Sequence, residues 1–341
     1  MNPELTAGPR TDPTLLYRYR DALYAADLFI VGLHLNFFSW LDTHPSTLDG
    51  VCAAHGFAER PADVMLTLFS AMGLVQQRGG VFTLTGTGRE HLTTGAPWYL
   101  GPYYPSLEDR PIARDLLDVL RTGRPANWAA QHAGKDWHRA MESEEFATSF
   151  TAAMDCRGLY LAQSIAASVD LRPHRHLLDV GGGSGIYACV LTAHNPQLRA
   201  TVLDKPPVDQ IAAAAIARRG LADRVSVAGR DMLVDPLPSG ADVHLFSNVL
   251  HDWDAPVVGQ LLKKSFDALP AGGMVIVHEA FLNAEKTGPL HVAEYSVLLM
   301  HASEGRCYSV AEMERHLAAA GFSGSAYATG AAARGIMTAR K

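Results

Sequence analysis

His251, Asp252 and Trp253 follow a short apolar run, residues 243–247, that reads as a β-strand. A histidine just past the carboxyl end of a strand stands where open α/β sheets place their chemistry. Imidazole titrates near neutrality and suits removal of a proton from an oxygen nucleophile. Such a base gains from a carboxylate on its other ring nitrogen, which fixes the tautomer. Glu279 stands 28 residues on, at the end of the next strand-like run, 274–278. Phe150, Met154, Asp252 and Trp253 are candidates to line a substrate pocket beside this base. Arg157 adds a guanidinium suited to a substrate carboxylate.

A second constellation lies upstream, in Leu177-Leu178-Asp179-Val180-Gly181-Gly182-Gly183-Ser184-Gly185. Glycines at 181, 183 and 185 let the backbone turn tightly between a strand and a helix, with a ligand lying against it. Dinucleotide enzymes share such a turn, but here the spacing is GxGxG and lacks the last glycine of GxGxxG. Asp179, at the strand end, suits a cationic cofactor better than a pyrophosphate, since it can accept from an ammonium group directly or through water. Asp204 ends the following strand, where a carboxylate can clasp both hydroxyls of a ribose. After the third strand, Asp231 can accept from an adenine amino group while Met232 covers the ring. Together these residues point to a positively charged adenosine cofactor.

The elements that must hold these groups fall into stretches of different texture. Strands are expected at 177–180, 201–203, 225–228, 243–247 and 274–278, with helices such as 210–219 and 255–269 between them. Alternating strands and helices make a mostly parallel sheet covered on both faces. Upstream, residues 15–41, 47–55 and 60–72 carry helical spacing, and two short strands flank Arg78-Gly79-Gly80. Three helices and a two-stranded wing form a winged-helix arrangement. Residues 99–170 read as helices broken at prolines 102, 105, 111 and 125. Their bulk comes from Trp128, Trp137, Phe146, Phe150 and Met154, some of it walling a pocket between the domains. The expected division is a winged-helix dimerisation domain over 1–100, a helical linker over 101–170 that contributes to the acceptor pocket, and a Rossmann-like domain over 171–341.

LLDVGGGSG, TVLDKPP, GRDMLVDPLP, HLFSNVLHDWD, ALPAGGMVIVHEAFL and SEGRCYSVAEMERHLAAAGF occur in that order over about half of the chain. In this the sequence resembles the S-adenosylmethionine-dependent O-methyltransferases of the plant caffeate and bacterial antibiotic-tailoring type. The resemblance implies an N-terminal half that pairs two copies and caps the acceptor pocket. It also implies Gly181, Gly183, Asp204, Asp231 and Met232 as cofactor contacts, His251 as general base and Glu279 as its support. Two positions depart from the family pattern. Ser247 stands where the family often has lysine, at a corner of the cofactor site. Cys307 stands where a second glutamate is expected.

The missing glutamate opens an alternative chemistry. His251, His301 and either Glu279 or Asp252 would offer two imidazoles and a carboxylate to a divalent or ferric ion. That set is similar to the metal-dependent methyltransferases that methylate the carbon beside the keto group of 2-oxo acids. O-methylation is favoured on family grounds, with this metal-assisted C-methylation as the rival. His244, His278 and His291 are expected to be structural.

Composition narrows the partners. The 341 residues are 48% hydrophobic and 19% charged, which excludes a wholly disordered or fibrous chain. A net charge of −6 argues against a polyanion-binding surface. The second short helix of the wing region carries one Arg, one Glu and one Asp, a poor match to a DNA groove. No run approaches the length of a membrane span, and the polar N-terminus lacks a signal-peptide core. Four scattered cysteines, at 52, 156, 189 and 307, suit a reducing, cytoplasmic setting. A regulator that binds DNA through the wing and a nicotinamide dehydrogenase are the readings from other classes, opposed by the charge balance and the glycine spacing respectively.

Overall fold

The computed structural model describes residues 3–9, 11–126 and 140–341, so Trp128 and Trp137 lie outside the described residues. The chain divides into two compact units. One comprises Leu15–Ala130 and Leu282–Ser309, the other Met1–Thr14, Gln131–Phe281 and Val310–Lys341. The sequence pattern suggests consecutive stretches, whereas the first unit takes in a segment from late in the chain.

In the first unit the long helical stretch is two helices, α1 (Thr14–His34) and α2 (Phe37–Thr43), bent 59° apart. The break falls at Asn36, which takes the left-handed conformation that asparagine tolerates. α3 (Leu48–His55) starts at Thr47, whose side chain accepts from the Gly50 N–H, and stops at left-handed Gly56. α4 (Glu59–Ala71) packs on α1 so tightly that a Cβ on Gly32 would lie 2.7 Å from the Phe69 ring. Phe37, Phe38 and Phe69 are buried, with the Phe38 and Phe69 rings 4.9 Å apart. The wing follows as β1 (Val75–Arg78) and β2 (Val81–Leu84), antiparallel across Gly79 and Gly80. α5 (Gly86–Leu92) and α6 (Pro111–Thr122) complete the N-terminal part of this unit.

Arg60 and Asp63 of α4 engage the late segment of the same unit. Arg60 donates to the carbonyls of Met300, Ser303, Gly305 and Gly123, at 2.8–3.4 Å. Asp63 accepts from Lys286 at 2.8 Å and lies 3.6 Å from Arg306. The helix that would face a DNA groove in a winged-helix reader therefore directs Arg60 and Asp63 to its own chain.

The second unit opens with α7 (Glu144–Ser168), and its sheet begins at β3 (His176–Val180). Then come α8 (Ile186–His194), β4 (Arg199–Asp204), α9 (Val208–Arg218), β5 (Val225–Gly229), β6 (Val243–Ser247), α10 (Ala255–Ala268) and β7 (Met274–Glu279). After β7 the chain passes into the first unit, where α11 (Leu290–Ala302) lies, and returns for α12 (Val310–Ala320), β8 (Ser323–Thr329) and β9 (Gly335–Arg340). The neck of this excursion is closed by Leu282 N–H donating to Tyr308 O.

The strand order is β5-β4-β3-β6-β7-β9-β8, with β3 to β7 parallel and β9 antiparallel to both of its neighbours, β7 and β8. Every residue of β6 and β7 is buried, as strands covered on both faces must be. The order reverses between β3 and β6, so the crevice at their carboxyl ends is where a ligand is expected. This is a Rossmann-like α/β domain preceded by a mainly helical winged-helix region. No single helix among the described residues is long and apolar enough to cross a membrane.

Candidate active site

The turns after β3 and β6 flank the switch point. The first is built from backbone. Gly181 has φ +67°, and a Cβ there would come within 3.1 Å of Val249, with Met232 Sδ next at 3.6 Å. Only glycine meets both demands without strain. Leu203 O accepts from the N–H groups of Gly181 and Gly182, at 2.8 and 3.2 Å, which ties the turn to β4. Gly183 N–H donates to Asp204 Oδ2 at 2.9 Å, and Lys205 N–H to its Oδ1 at the same distance. Desolvation outweighs those two bonds and pushes the Asp204 carboxyl up to about 6.

Asp179 is only 1% exposed and lies beneath the turn. Its carboxylate accepts from Ala188 N–H at 3.3 Å, and a Cβ on Gly182 would meet it at 2.8 Å. The carboxyl is thus held under the turn, between Ala188 N–H and the Gly182 backbone. Burial drives its pKa up to about 7 against the lowering effect of the Ala188 hydrogen bond, and the nearby Asp204 charge adds to the rise.

Asp231 organises the loop after β5. Its Oδ1 accepts from Leu233 N–H at 2.8 Å, and its own N–H donates to Asp235 Oδ2 at 2.9 Å. Lys264 on α10 secures the same loop by donating to the carbonyls of Met232, Leu233 and Asp235, at 2.7–3.0 Å. No motif or spacing marks that lysine. In the sequence it is one cation among the polar positions of a helix.

The second turn is built from side chains. His251 sits in a single 3-10 turn, Leu250–Asp252, directly after β6. Its Nδ1 lies 2.5 Å from Glu279 Oε2, and both residues are buried. The other carboxylate oxygen of Glu279 accepts from the N–H groups of Val249 and Leu250, each at 2.9 Å. Glu279 thus holds the imidazole and the backbone that carries it. The two atoms meet as a close polar contact, and a proton kept on Nδ1 by the charge of the carboxylate leaves Nε2 as the basic nitrogen. Asp252 Oδ1 is 3.9 Å from Nε2, Trp253 is buried, and Asp254 caps α10 immediately beyond through Val257 N–H.

Ser247 belongs to a buried polar network that residue spacing does not reveal. Its hydroxyl shares a 2.8 Å hydrogen bond with His278 Nδ1 and accepts from Asn248 Nδ2. Asn248, left-handed at φ 55°, also donates to the Tyr187 hydroxyl and accepts from Arg334 Nε. Burial, with help from the Arg334 and Arg157 charges, pushes His278 down to about 3, so it stays neutral. His244 behaves alike: it is buried, bonded to Ser265 and lowered to about 4.

Among the pocket candidates on α7, Phe150 stacks on Phe146 and packs against Met141, Ala147 and Val208. Arg157 Nη2 approaches Met154 Sδ at 3.3 Å. His301 lies in the first unit, where its Nε2 meets Asp115 at 3.3 Å and its ring packs edge-on to Tyr24. Among the described residues no group of three His, Cys, Asp or Glu side chains is gathered to hold a metal ion. His251, Glu279 (or Asp252) and His301 form no such group; the first three belong to the second unit and His301 to the first. Cys307 is buried, with its N–H donating to Ser296 Oγ.

Comparison with known proteins agrees with this geometry. A family model described as an O-methyltransferase domain matches residues 113–323. The 3-hydroxy-5-methyl-1-naphthoate 3-O-methyltransferase of Streptomyces sahachiroi is 32% identical over 314 residues, 91% of this chain and 90% of that protein. The crystal structure of an O-methyltransferase family 2 protein from Planctomyces limnophilus, in complex with apigenin, superposes with a TM-score of 0.88 at 30% identity, covering 99% of this chain and 98% of that one. NcsB1, an O-methyltransferase from neocarzinostatin biosynthesis solved with S-adenosylmethionine and 2-hydroxy-5-methyl naphthoic acid, gives 0.59 at 26% identity, over 94% and 96% of the two chains. With a family model spanning more than half of its length and a relative aligned over nearly all of it, the chain belongs to the S-adenosylmethionine-dependent O-methyltransferase family 2.

Proposed function

We propose that the protein methylates a phenolic oxygen of a small aromatic secondary metabolite, with His251 as general base. The observation that carries this reading is the His251–Glu279 pair, whose carboxylate is fixed by two backbone N–H groups of the same turn. Bound S-adenosylmethionine supplies a methyl group activated on a sulfonium. Gly181, Gly183, Asp204, Asp231, Met232 and Ser247 would hold it, with Asp179 supporting the turn from below. The open left-handed turn and the carboxylate at the end of β4 fit a nucleoside with a free ribose edge.

His251 Nε2 takes the phenolic proton as the oxygen attacks, and Glu279 stabilises the imidazolium that forms. Phe150, Met154, Asp252 and Trp253 line the acceptor side. Arg157 meets an acceptor carboxylate, a reading supported by the hydroxynaphthoic acids in the names of two relatives. Incubation with S-adenosylmethionine and a panel of hydroxynaphthoic acids tests this directly. The expected product is an O-methyl ether; a C-methylated product, or turnover of 2-oxo acids alone, overturns the reading.

We further propose a homodimer formed through the first unit. Leu15, Leu16, Tyr19 and Leu23 are exposed at helical spacing along α1, an apolar stripe suited to a second copy. Light scattering at micromolar concentration tests it: a monomer there removes the proposal. Four free cysteines support a cytoplasmic setting.

A further inference from the structure

The glycine turn is clamped at three points. Two of the clamps come from β4, through Leu203 O and the Asp204 carboxylate. The third comes from α7. Ser184, buried between Gly183 and Gly185, donates its hydroxyl to Asp155 Oδ1. Asp155 is in turn held by Arg219, whose Nη2 lies 2.6 Å from both carboxylate oxygens. Arg219 closes α9, where its own N–H is bonded to the carbonyls of Ala215 and Ile216. Three elements thus converge on one carboxylate. One turn further along α7, Gly158 lies against the start of α8 with no room for a side chain: a Cβ there would stand 2.5 Å from Ile186.

We infer that Asp155 is a positioning residue which, through Ser184 and Arg219, locks the glycine turn to the helix that presents Phe150, Met154 and Arg157. The inference rests on the reading of that turn as the cofactor seat. The β4 clamps belong to the sheet and form with it. The α7 clamp is different, because it links the turn to a helix that lies outside the sheet. A helix is rigid over two turns, so a displacement at Asp155 is a displacement at Met154 and Arg157. Removing the link leaves the turn formed but free to drift from its ligand-bound position, and small misplacements of this kind are costly for binding and alignment.

The test is calorimetric titration of the full chain with S-adenosylhomocysteine, alongside thermal melts. Ser184→Ala removes the donor, and Asp155→Asn removes the charge that Arg219 grips. Ser164→Ala, on the same helix but away from the turn, serves as a control; its hydroxyl donates within the helix, to Leu161 O. We expect each of the first two variants to weaken binding about tenfold, and the double variant no more than the worse single one. Ser184→Thr, which keeps the hydroxyl, is expected to stay within about threefold of wild type, and Ser164→Ala to bind as wild type does. Wild-type affinity in both Ser184→Ala and Asp155→Asn overturns the inference, as does a loss that only tracks the melting temperature across all variants. Failure of the wild-type protein to bind S-adenosylhomocysteine strikes instead at the functional reading beneath it.

Discussion

The turns after β3 and β6 face the same crevice edge and are built on opposite principles. After β3 the turn is shaped by backbone: side chains are absent at Gly181 and Gly183, and both take left-handed angles. After β6, everything depends on one imidazole and the carboxylate that orients it. A backbone site tolerates the loss of any one donor but not the addition of a methyl group. A side-chain pair behaves in the reverse way. The two turns should therefore fail differently when altered, one in binding and the other in turnover.

The largest effect is expected at His251. His251→Ala should lower kcat by about 10²–10⁴, the usual span for a general base, while S-adenosylhomocysteine binds as before. Glu279→Gln should lower kcat less, because the amide oxygen still accepts from Val249 and Leu250 but no longer stabilises an imidazolium. Pre-steady-state turnover and calorimetry on the same samples separate the two quantities. Equal loss of binding and turnover in His251→Ala would merge the turns into one site and break the contrast.

Next comes Gly181→Ala. A left-handed alanine costs about 1–2 kcal/mol, and the added Cβ crowds Val249. KM for S-adenosylmethionine should rise about tenfold, the equivalent of about 1.4 kcal/mol, with kcat changed little. A selective fall in kcat would place this turn on the catalytic side of the comparison.

How much of the fold and the site is legible in the sequence depends on what each part uses as its signal. The β3 to β7 strands are apolar runs closed by turns, and both binding turns announce themselves by residue type at a strand end. β8 and β9 escape such a reading because β8, Ser-Gly-Ser-Ala-Tyr-Ala-Thr, is exposed throughout and offers neither an apolar run nor alternation. The supporting groups are hidden for another reason. Lys264, Asn248, Arg334 and Asp155 act through contacts with residues 29–86 positions away, a separation that composition and spacing do not encode. His301 lies on the excursion after β7 that enters the first unit, whereas His251 and Glu279 belong to the second, and spacing along the chain does not report that division.

The contrast extends to pH. Asp204 titrates at about 6, so below that pH its protonated carboxyl has less capacity to accept from a ribose. S-adenosylhomocysteine affinity should weaken as pH falls from 7 to 5, and Asp204→Asn should flatten the profile. Asp179 acts on stability with the opposite sign. Its folded pKa, about 7, lies above the ordinary value of 3.8, so the folded state holds the proton more tightly than the unfolded one. This group contributes most at acid pH, and its contribution is lost as pH rises through 7. Melting temperatures of wild type and Asp179→Asn, compared at pH 5.5 and 8, check it: the variant should lose less stability on going to the higher pH.

The smallest effect is expected at His301, where the rival chemistry would demand one of the largest. In the first unit this imidazole bonds Asp115 and packs on Tyr24, with burial lowering its pKa against the pull of the carboxylate. Removing it deletes one partly exposed contact, for which a loss of about 0.5–1.5 kcal/mol of stability is typical. His301→Ala should therefore turn over within about threefold of wild type, and both proteins should keep their activity after dialysis against a strong chelator. Two imidazoles on one ion would give another pattern: turnover lost in His301→Ala and in the chelated wild type alike, and restored to the latter by a divalent or ferric salt. Side-chain chemistry in the β6 turn would then need a partner beyond Glu279, and the division between a backbone site and a self-sufficient His–Glu pair would no longer hold.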